Sequence, residues 1–80
     1  MRVELRLFAS LRRYLPADGG GTKAMLDVPD GTRLVDVFER LSIPPQLAQL
    51  VMVNGVHEPN RDRPLSDGDA ISIFPPVAGG

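Results

Sequence analysis

The sequence contains no cysteine, one histidine at His57 and one lysine at Lys23. Without cysteine, disulfide bonds, thiolate metal sites and cysteine nucleophiles are all excluded. One histidine does not make a histidine-rich metal site by itself, so we expect this chain to bind no metal. The chain therefore has few of the side chains on which metal-assisted or covalent catalysis depends.

Long apolar runs and an excess of one charge are also missing. No apolar stretch approaches the roughly 20 residues that cross a membrane. The first residues, MRVELRLFAS, alternate in polarity as a strand does and do not resemble a targeting leader. The net charge is −1 and the arginines are scattered, which disfavours nucleic acid as a partner. We expect a cytoplasmic protein that binds neither membrane nor nucleic acid.

Familiar catalytic motifs are absent as well. The sequence has no P-loop, no dinucleotide fingerprint, no H-E-x-x-H and no G-x-S-x-G. His57 follows a hairpin turn with no nucleophile beside it, which favours a solvated or structural role. Asp67 and Asp69 flank Gly68 without the EF-hand pattern, which favours a turn over a cation site. We do not expect the chain to be catalytic alone, and whether it forms part of an enzyme stays open.

The apolar pattern predicts five strands and one main helix in the order β-β-α-β-β-β. Period-two alternation predicts strands near 2–8 and 22–28 that pair as an antiparallel hairpin. Helical spacing predicts a helix over 32–41 with Thr32 as its N-cap. Asn54-Gly55 predicts a two-residue hairpin, and the last strand is expected at 70–74. The expected core residues are Leu5, Leu7, Leu34, Val37, Phe38, Leu41, Ile71 and Ile73. One helix covering a mixed sheet of four to five strands is a two-layer α+β domain.

The chain ends in IFPPVAGG, which predicts a domain at 1–74 and an extended tail at 75–80. Proline has no backbone donor and a fixed φ, so Pro75 and Pro76 should stop the sheet and stiffen the start of the tail. Gly79 and Gly80 lack a Cβ and fit a channel too narrow for other residues. The ionised Gly80 carboxylate is then a chemical handle on a protruding arm. The residues expected to thread a partner's site are Pro75, Pro76, Val77, Ala78 and Gly79. The alternative is a loose terminus of small residues.

Two aromatic residues fall on the polar faces of their strands. By alternation, Phe8 and Phe74 both point away from the core. If the first and last strands are neighbours, the two rings form an apolar patch where the tail begins. Such patches mark partner surfaces, so we predict a partner interface at Phe8 and Phe74. The alternative is a bulge that turns one ring inward.

Four blocks together resemble the MoaD/ThiS family of sulfur carriers, and within it the small subunits of molybdopterin synthase. The blocks are LFASLRRYL, PDGTRLVDVFERL, VNG and PLSDGDAISIFPPVAGG, and they span nearly the whole chain. The resemblance implies the ubiquitin-like β-grasp fold. It also implies that an ATP-using, E1-like enzyme adenylates the Gly80 carboxylate, after which a sulfur donor protein converts it to a thiocarboxylate.

In that family the tail enters the large subunit of molybdopterin synthase and gives its sulfur to a pterin precursor. The resemblance therefore implies a role in making the molybdenum or tungsten cofactor. It implies no cofactor bound by this chain, because ATP belongs to the activating partner. Sulfur carriage for thiamin, cysteine or tRNA thiolation remains open. So does a protein modifier joined to lysines through Gly80, and so does a plain adaptor that binds through Phe8 and Phe74.

Overall fold

The computed structural model describes residues 1–16 and 21–76, and the predicted order of strands and helix is confirmed. The strands are β1 Arg2–Leu7, β2 Lys23–Asp27, β3 Leu50–Val53, β4 Val56–His57 and β5 Ala70–Phe74. The main helix is α1, Leu34–Leu41, and two 3₁₀ helices span Ala9–Tyr14 and Pro45–Leu47.

The five strands form one mixed sheet in the order β2-β1-β5-β3-β4. β1 and β5 pair in parallel, and the other neighbours pair antiparallel, including the predicted hairpin of β1 and β2. The last strand therefore occupies the centre of the sheet. This mixed sheet with one main helix is the two-layer α+β domain that the sequence predicted, and it has the ubiquitin-like β-grasp fold that the family resemblance implied.

The core lies between one face of the sheet and α1. Alternation places every second residue of β1, β2, β3 and β5 on that face, as their period-two pattern predicts. The most deeply buried side chains are Val3, Leu5, Leu7, Leu11, Leu34, Val37, Phe38, Val51, Ile71 and Ile73. Leu41, an expected core residue, is only partly buried and packs against the edge of this cluster.

The expected N-cap of α1 is wrong by one residue. Arg33 caps the helix, and its backbone N–H donates to the Asp36 carboxylate at 2.9 Å. The Thr32 hydroxyl instead donates to the Pro29 carbonyl at 2.7 Å, so it faces away from the helix. The hydrogen bonds from Arg33, first from its backbone and then from its guanidinium, lower the pKa of Asp36. The Asp36 carboxylate in the first turn thus accepts a hydrogen bond at the start of the helix, where the Thr32 side chain makes none.

Asp69 anchors the start of β5. Asp69 is 6% exposed. Its carboxylate accepts hydrogen bonds from the Ser66 backbone N–H at 2.8 Å, from Asn54 Nδ2 at 2.9 Å and from Arg63 Nη1 at 3.3 Å. Asn54 also opens the β3–β4 hairpin, where Asn54 and Gly55 have φ values of 54° and 81°. Both values fit the predicted two-residue turn. Asp69 therefore ties the hairpin and the preceding loop to the central strand.

Within residues 1–16 and 21–76, no helix is long and apolar enough to cross a membrane.

Candidate functional site

The predicted tail begins where the central strand leaves the sheet. The Phe74 carbonyl accepts from the Gln49 N–H at 3.0 Å, the last backbone bond of β5 toward β3. Pro75 is partly buried and Pro76 is exposed, and neither has an N–H to continue the ladder. The chain thus exits between two neighbouring strands. Val77, Ala78, Gly79 and Gly80 lie outside the described residues, so their predicted threading and the chemistry of the Gly80 carboxylate stay predictions.

Phe8 and Phe74 stack directly on each other at this exit. Their ring centroids are 4.4 Å apart and their planes differ by 8°. The parallel register pairs Leu7 with Ile73, which brings Phe8 opposite Phe74, and the Phe8 N–H donates to the Ile73 carbonyl at 3.3 Å. The expectation that both rings share the outer face is therefore confirmed, and the inward-turned alternative is wrong. Their role as a partner interface stays a prediction.

Ala9 explains why the chain leaves the sheet directly after Phe8. Its φ is +52°, in the left-handed region that non-glycine residues seldom adopt. This turn takes the chain out of the sheet and into the 3₁₀ helix Ala9–Tyr14, whose Leu11 is buried. Phe8 is thereby the last residue bonded to β5 before the 3₁₀ helix begins.

Two further apolar residues extend the aromatic pair, and neither was predicted from the sequence. The antiparallel register places Leu50 opposite Phe74 and Met52 opposite Ser72, on the outer face. Leu50 is 37% exposed and Met52 is partly buried. The run LVMV is apolar at every position, so its alternation does not reveal which residues face outward. We call Phe8, Leu50, Met52 and Phe74 the tail-root patch.

Charged side chains border the tail-root patch on the β1 and β2 side. Arg6 lies opposite Ser72 in β5 and opposite Lys23 in β2. The Glu4 carboxylate contacts Arg6 Nη2 at 2.6 Å and Lys23 Nζ at 3.9 Å. Beyond Phe8, the guanidinium of Arg13 lies 5.1 Å from the centre of the Tyr14 ring. An apolar centre with charged groups at its border is typical of protein interfaces.

The other polar residues weighed from the sequence have structural surroundings. Asp67 and Gly68 form the predicted turn, where Asp67 Oδ1 accepts from the Arg2 backbone N–H at 2.7 Å. His57 is exposed on the short edge strand β4. Among the described residues, no cluster of three histidine or acidic side chains is placed to hold a metal ion.

Comparison with known proteins places this chain in a family. Residues 5–80 match the model of the ThiS family. No curated protein sequence matches the chain. The HVO 2177 protein of Haloferax volcanii is 31% identical, with a TM-score of 0.77 over all of this chain and 87% of that chain.

Two other solved structures bear more informative descriptions. A putative molybdopterin converting factor subunit 1 from Pyrococcus furiosus is 26% identical, with a TM-score of 0.70 over 95% of this chain and 98% of that one. A chain in the complex of subunits 1 and 2 of the molybdopterin-converting factor from Helicobacter pylori is 27% identical, with a TM-score of 0.62. The match covers all of this chain and all of that one. With a family match over nearly its whole length and the same fold, the chain belongs to the ThiS family of ubiquitin-fold sulfur carriers.

Proposed function

We propose that this chain is the sulfur carrier of molybdopterin biosynthesis and acts as the small subunit of a molybdopterin synthase. An E1-like enzyme adenylates the Gly80 carboxylate, a sulfur donor protein converts it to a thiocarboxylate, and the tail delivers that sulfur to a pterin precursor in the large subunit. The chain supplies the carrier group, and its partners supply the active sites.

The observation that carries the proposal is the exit of the central strand beside the tail-root patch. Phe74 is the last residue before Pro75 and Pro76, and its ring stacks on that of Phe8. A partner that binds the patch therefore fixes the position of Pro75, where the tail begins. Two prolines restrict the directions that the tail can take from there, which lowers the entropy lost when it enters a site.

Two of the similar solved structures support the choice of molybdopterin as the destination of the sulfur. The structure from Pyrococcus furiosus is described as a molybdopterin converting factor subunit, and the one from Helicobacter pylori is a complex of subunits 1 and 2. These two relatives support a large-subunit partner for this chain too.

Elementary chemistry explains why such a carrier needs an activating partner. A carboxylate is a poor acyl donor, because oxide is a very poor leaving group. Attack of the Gly80 carboxylate on the α-phosphate of ATP releases pyrophosphate and gives an acyl-adenylate. Sulfur supplied by the donor at the oxidation level of sulfide attacks the acyl carbon, the acyl C–O bond to AMP breaks, and loss of the thioacid proton leaves a thiocarboxylate. This divides one difficult substitution into two easier ones. Since the chain has no cysteine, the terminus is the place for covalent sulfur.

Intact mass of the full chain purified from its own host tests the proposal. We expect a fraction heavier by the difference between sulfur and oxygen, and we expect it to vanish in a host that lacks the E1-like enzyme. Addition of the large subunit and the cyclic pterin precursor should return the mass to that of the carboxylate. Sulfur that moves instead to a thiamin precursor or to tRNA would contradict the molybdopterin assignment. Recovery of Gly80 in isopeptide bonds to lysines, without the heavier form, would indicate a protein modifier.

A further inference from the structure

The cations of this chain are unevenly distributed despite a net charge of only −1. Arg12 and Arg13 lie in the 3₁₀ helix that comes after Phe8, at the end of the sheet where the tail begins. Arg6 and Lys23 lie side by side on the neighbouring strands. We call Arg6, Arg12, Arg13 and Lys23 the basic rim. Among the residues that the structure describes, the only carboxylate within 4 Å of these cations is that of Glu4.

Acidic groups surround the opposite end of β1. Asp27 pairs with the Arg2 guanidinium at 3.7 Å, and Asp67 accepts from the Arg2 backbone at 2.7 Å. Asp30 lies 3.6 Å from the N-terminal ammonium group. The protein is therefore polarised along β1, with its positive end beside the tail-root patch.

We propose that the basic rim steers the tail-root patch onto a protein partner whose docking site is apolar at its centre and acidic at its border. The partner is the ATP-using enzyme that activates Gly80, so this inference rests on the proposed function. Opposite charges around an apolar contact raise the rate of encounter and orient the two proteins before the apolar groups meet. The exit of the tail at the same end of the sheet makes that orientation the one that presents the terminus.

Two other occupants of this surface are disfavoured, one by charge and one by the geometry of the rings. A symmetric contact between two copies, centred on the patch, would bring two basic rims together and repel. Single-stranded nucleic acid binds through aromatic faces that are free to stack on bases. Here Phe8 and Phe74 use one face each to stack on the other, and Leu50 and Met52 extend the patch with aliphatic surface.

Association kinetics of the full chain with the E1-like enzyme of its own host test the inference. The rim variant combines Arg12→Gln with Arg13→Gln, and the control combines Arg2→Gln with Arg40→Gln at the other end. Arg40 lies at that end because it donates to the Asp27 carbonyl. Each pair of substitutions removes two positive charges. For the rim variant we expect an association rate roughly three- to tenfold lower at low salt, with a flatter salt dependence. Its dissociation rate should change less than about twofold. The control should behave like the unmodified chain, and melting curves should show both variants folded.

Three results would overturn the inference. One is an association rate of the unmodified chain that does not fall with salt. Another is an equal loss in the rim variant and the control. The third is binding of a labelled single-stranded oligonucleotide at physiological salt that the rim variant abolishes and the control keeps. Pyrophosphate exchange separates these failures from failure of the proposed function. An enzyme that never activates Gly80 refutes the function, whereas normal activation with salt-independent association refutes only the steering.

Discussion

At the scale of single residues, Asp69 shows how hydrogen bonds decide the state of a buried carboxylate. Burial by itself raises the pKa of an acid, and for Asp69 it is the largest single influence. The hydrogen bonds from Ser66, Asn54 and Arg63, together with the Arg63 charge, outweigh it and hold the pKa of Asp69 below its usual value. The ionised form is therefore the one that stabilises the junction of β5 with the β3–β4 hairpin.

Replacing this carboxylate should destabilise the fold and alter its response to acid. Because the folded-state pKa of Asp69 is lowered, its stabilisation is present above the unfolded pKa of about 3.9 and is lost as pH falls through the folded value. We expect Asp69→Asn to lower the free energy of unfolding at neutral pH by about 1–3 kcal/mol, since Ser66, Asn54 and Arg63 then lose their charged acceptor. The loss of stability on acidification should then be shallower in Asp69→Asn than in the unmodified chain.

Urea unfolding from about pH 7 down to about pH 2 measures both effects. The exposed Glu39 makes no ion pair with the described residues, so Glu39→Gln is a matched loss of one charge. It should change stability by less than about 0.5 kcal/mol. An acid profile of Asp69→Asn that is parallel to that of the unmodified chain would contradict the assigned role.

Phe74 is the residue at which binding and folding are most easily separated. Phe74→Asp removes a stacked aromatic pair worth about 0.5–1.5 kcal/mol and places a charge in the centre of the tail-root patch. We expect the variant to fold with reduced stability and to bind the E1-like enzyme or the large subunit at least about tenfold more weakly, which is about 1.4 kcal/mol. Calorimetric titration alongside a melting curve gives both numbers.

Two further variants make the Phe74→Asp result decisive. Leu50→Asp carries the same charge into the same patch at a residue that is 37% exposed, so it tests the patch if Phe74→Asp fails to fold. Val56→Asp is the control, because Val56 is 68% exposed on the edge strand β4, outside the patch. Equal binding by Leu50→Asp and Val56→Asp would remove the patch from the interface.

At the scale of elements, short sequence patterns predicted the strands, their buried faces and the hairpin turn, because neighbouring residues determine these features. Alternation marked β1, β2 and β5 and their buried faces, and Asn54-Gly55 marked the β3–β4 hairpin. The error at the start of α1 arose because Thr32 and Arg33 are adjacent, and the choice depends on Asp36 reaching back to the Arg33 backbone. Caps are decided by such side-chain geometry, which residue preferences describe only on average.

The described end of β5 predicts that folding does not need the tail. Within residues 1–16 and 21–76, every buried residue precedes Phe74, and the last backbone bond of β5 toward β3 is made by the Phe74 carbonyl. We expect a chain that ends at Phe74 to melt within a few degrees of the full chain, because it keeps the whole core. Calorimetry of the two chains, with Ile73→Ala as the reference for a core truncation of about 2–5 kcal/mol, measures this. A loss as large as that of Ile73→Ala would show that residues 75–80 pack into the domain.

At the scale of the whole molecule, strand order was the feature least accessible from the sequence. The parallel pairing of β1 with β5 joins the two ends of the chain and is fixed by the packing of all elements on one core. The sequence therefore predicted that Phe8 and Phe74 meet only on condition that these strands are neighbours. That pairing also brings Leu50 and Met52 from the middle of the chain to the same place. Position along the chain carries no direct information about such a surface.

The polarity of the molecule results from the same topology. Because β1 and β5 are parallel, their carboxyl ends share one end of the sheet, and Pro75, the patch and the basic rim come together there. The sequence shows the arginines as scattered, and only the fold shows which of them are neighbours. The structure thus places the surface that we propose for docking next to the start of the tail.

The most direct test of the carrier mechanism is ATP–pyrophosphate exchange by the E1-like enzyme with a chain lengthened by one alanine after Gly80. An added residue moves the terminal carboxylate by about 3.5 Å. Reacting groups tolerate a misplacement of only about 1 Å before large rate losses. We therefore expect the lengthened chain to keep its melting temperature and to lose nearly all exchange and all thiocarboxylate detectable by mass. Full exchange and sulfur loading by the lengthened chain, with its added alanine still present, would contradict the mechanism.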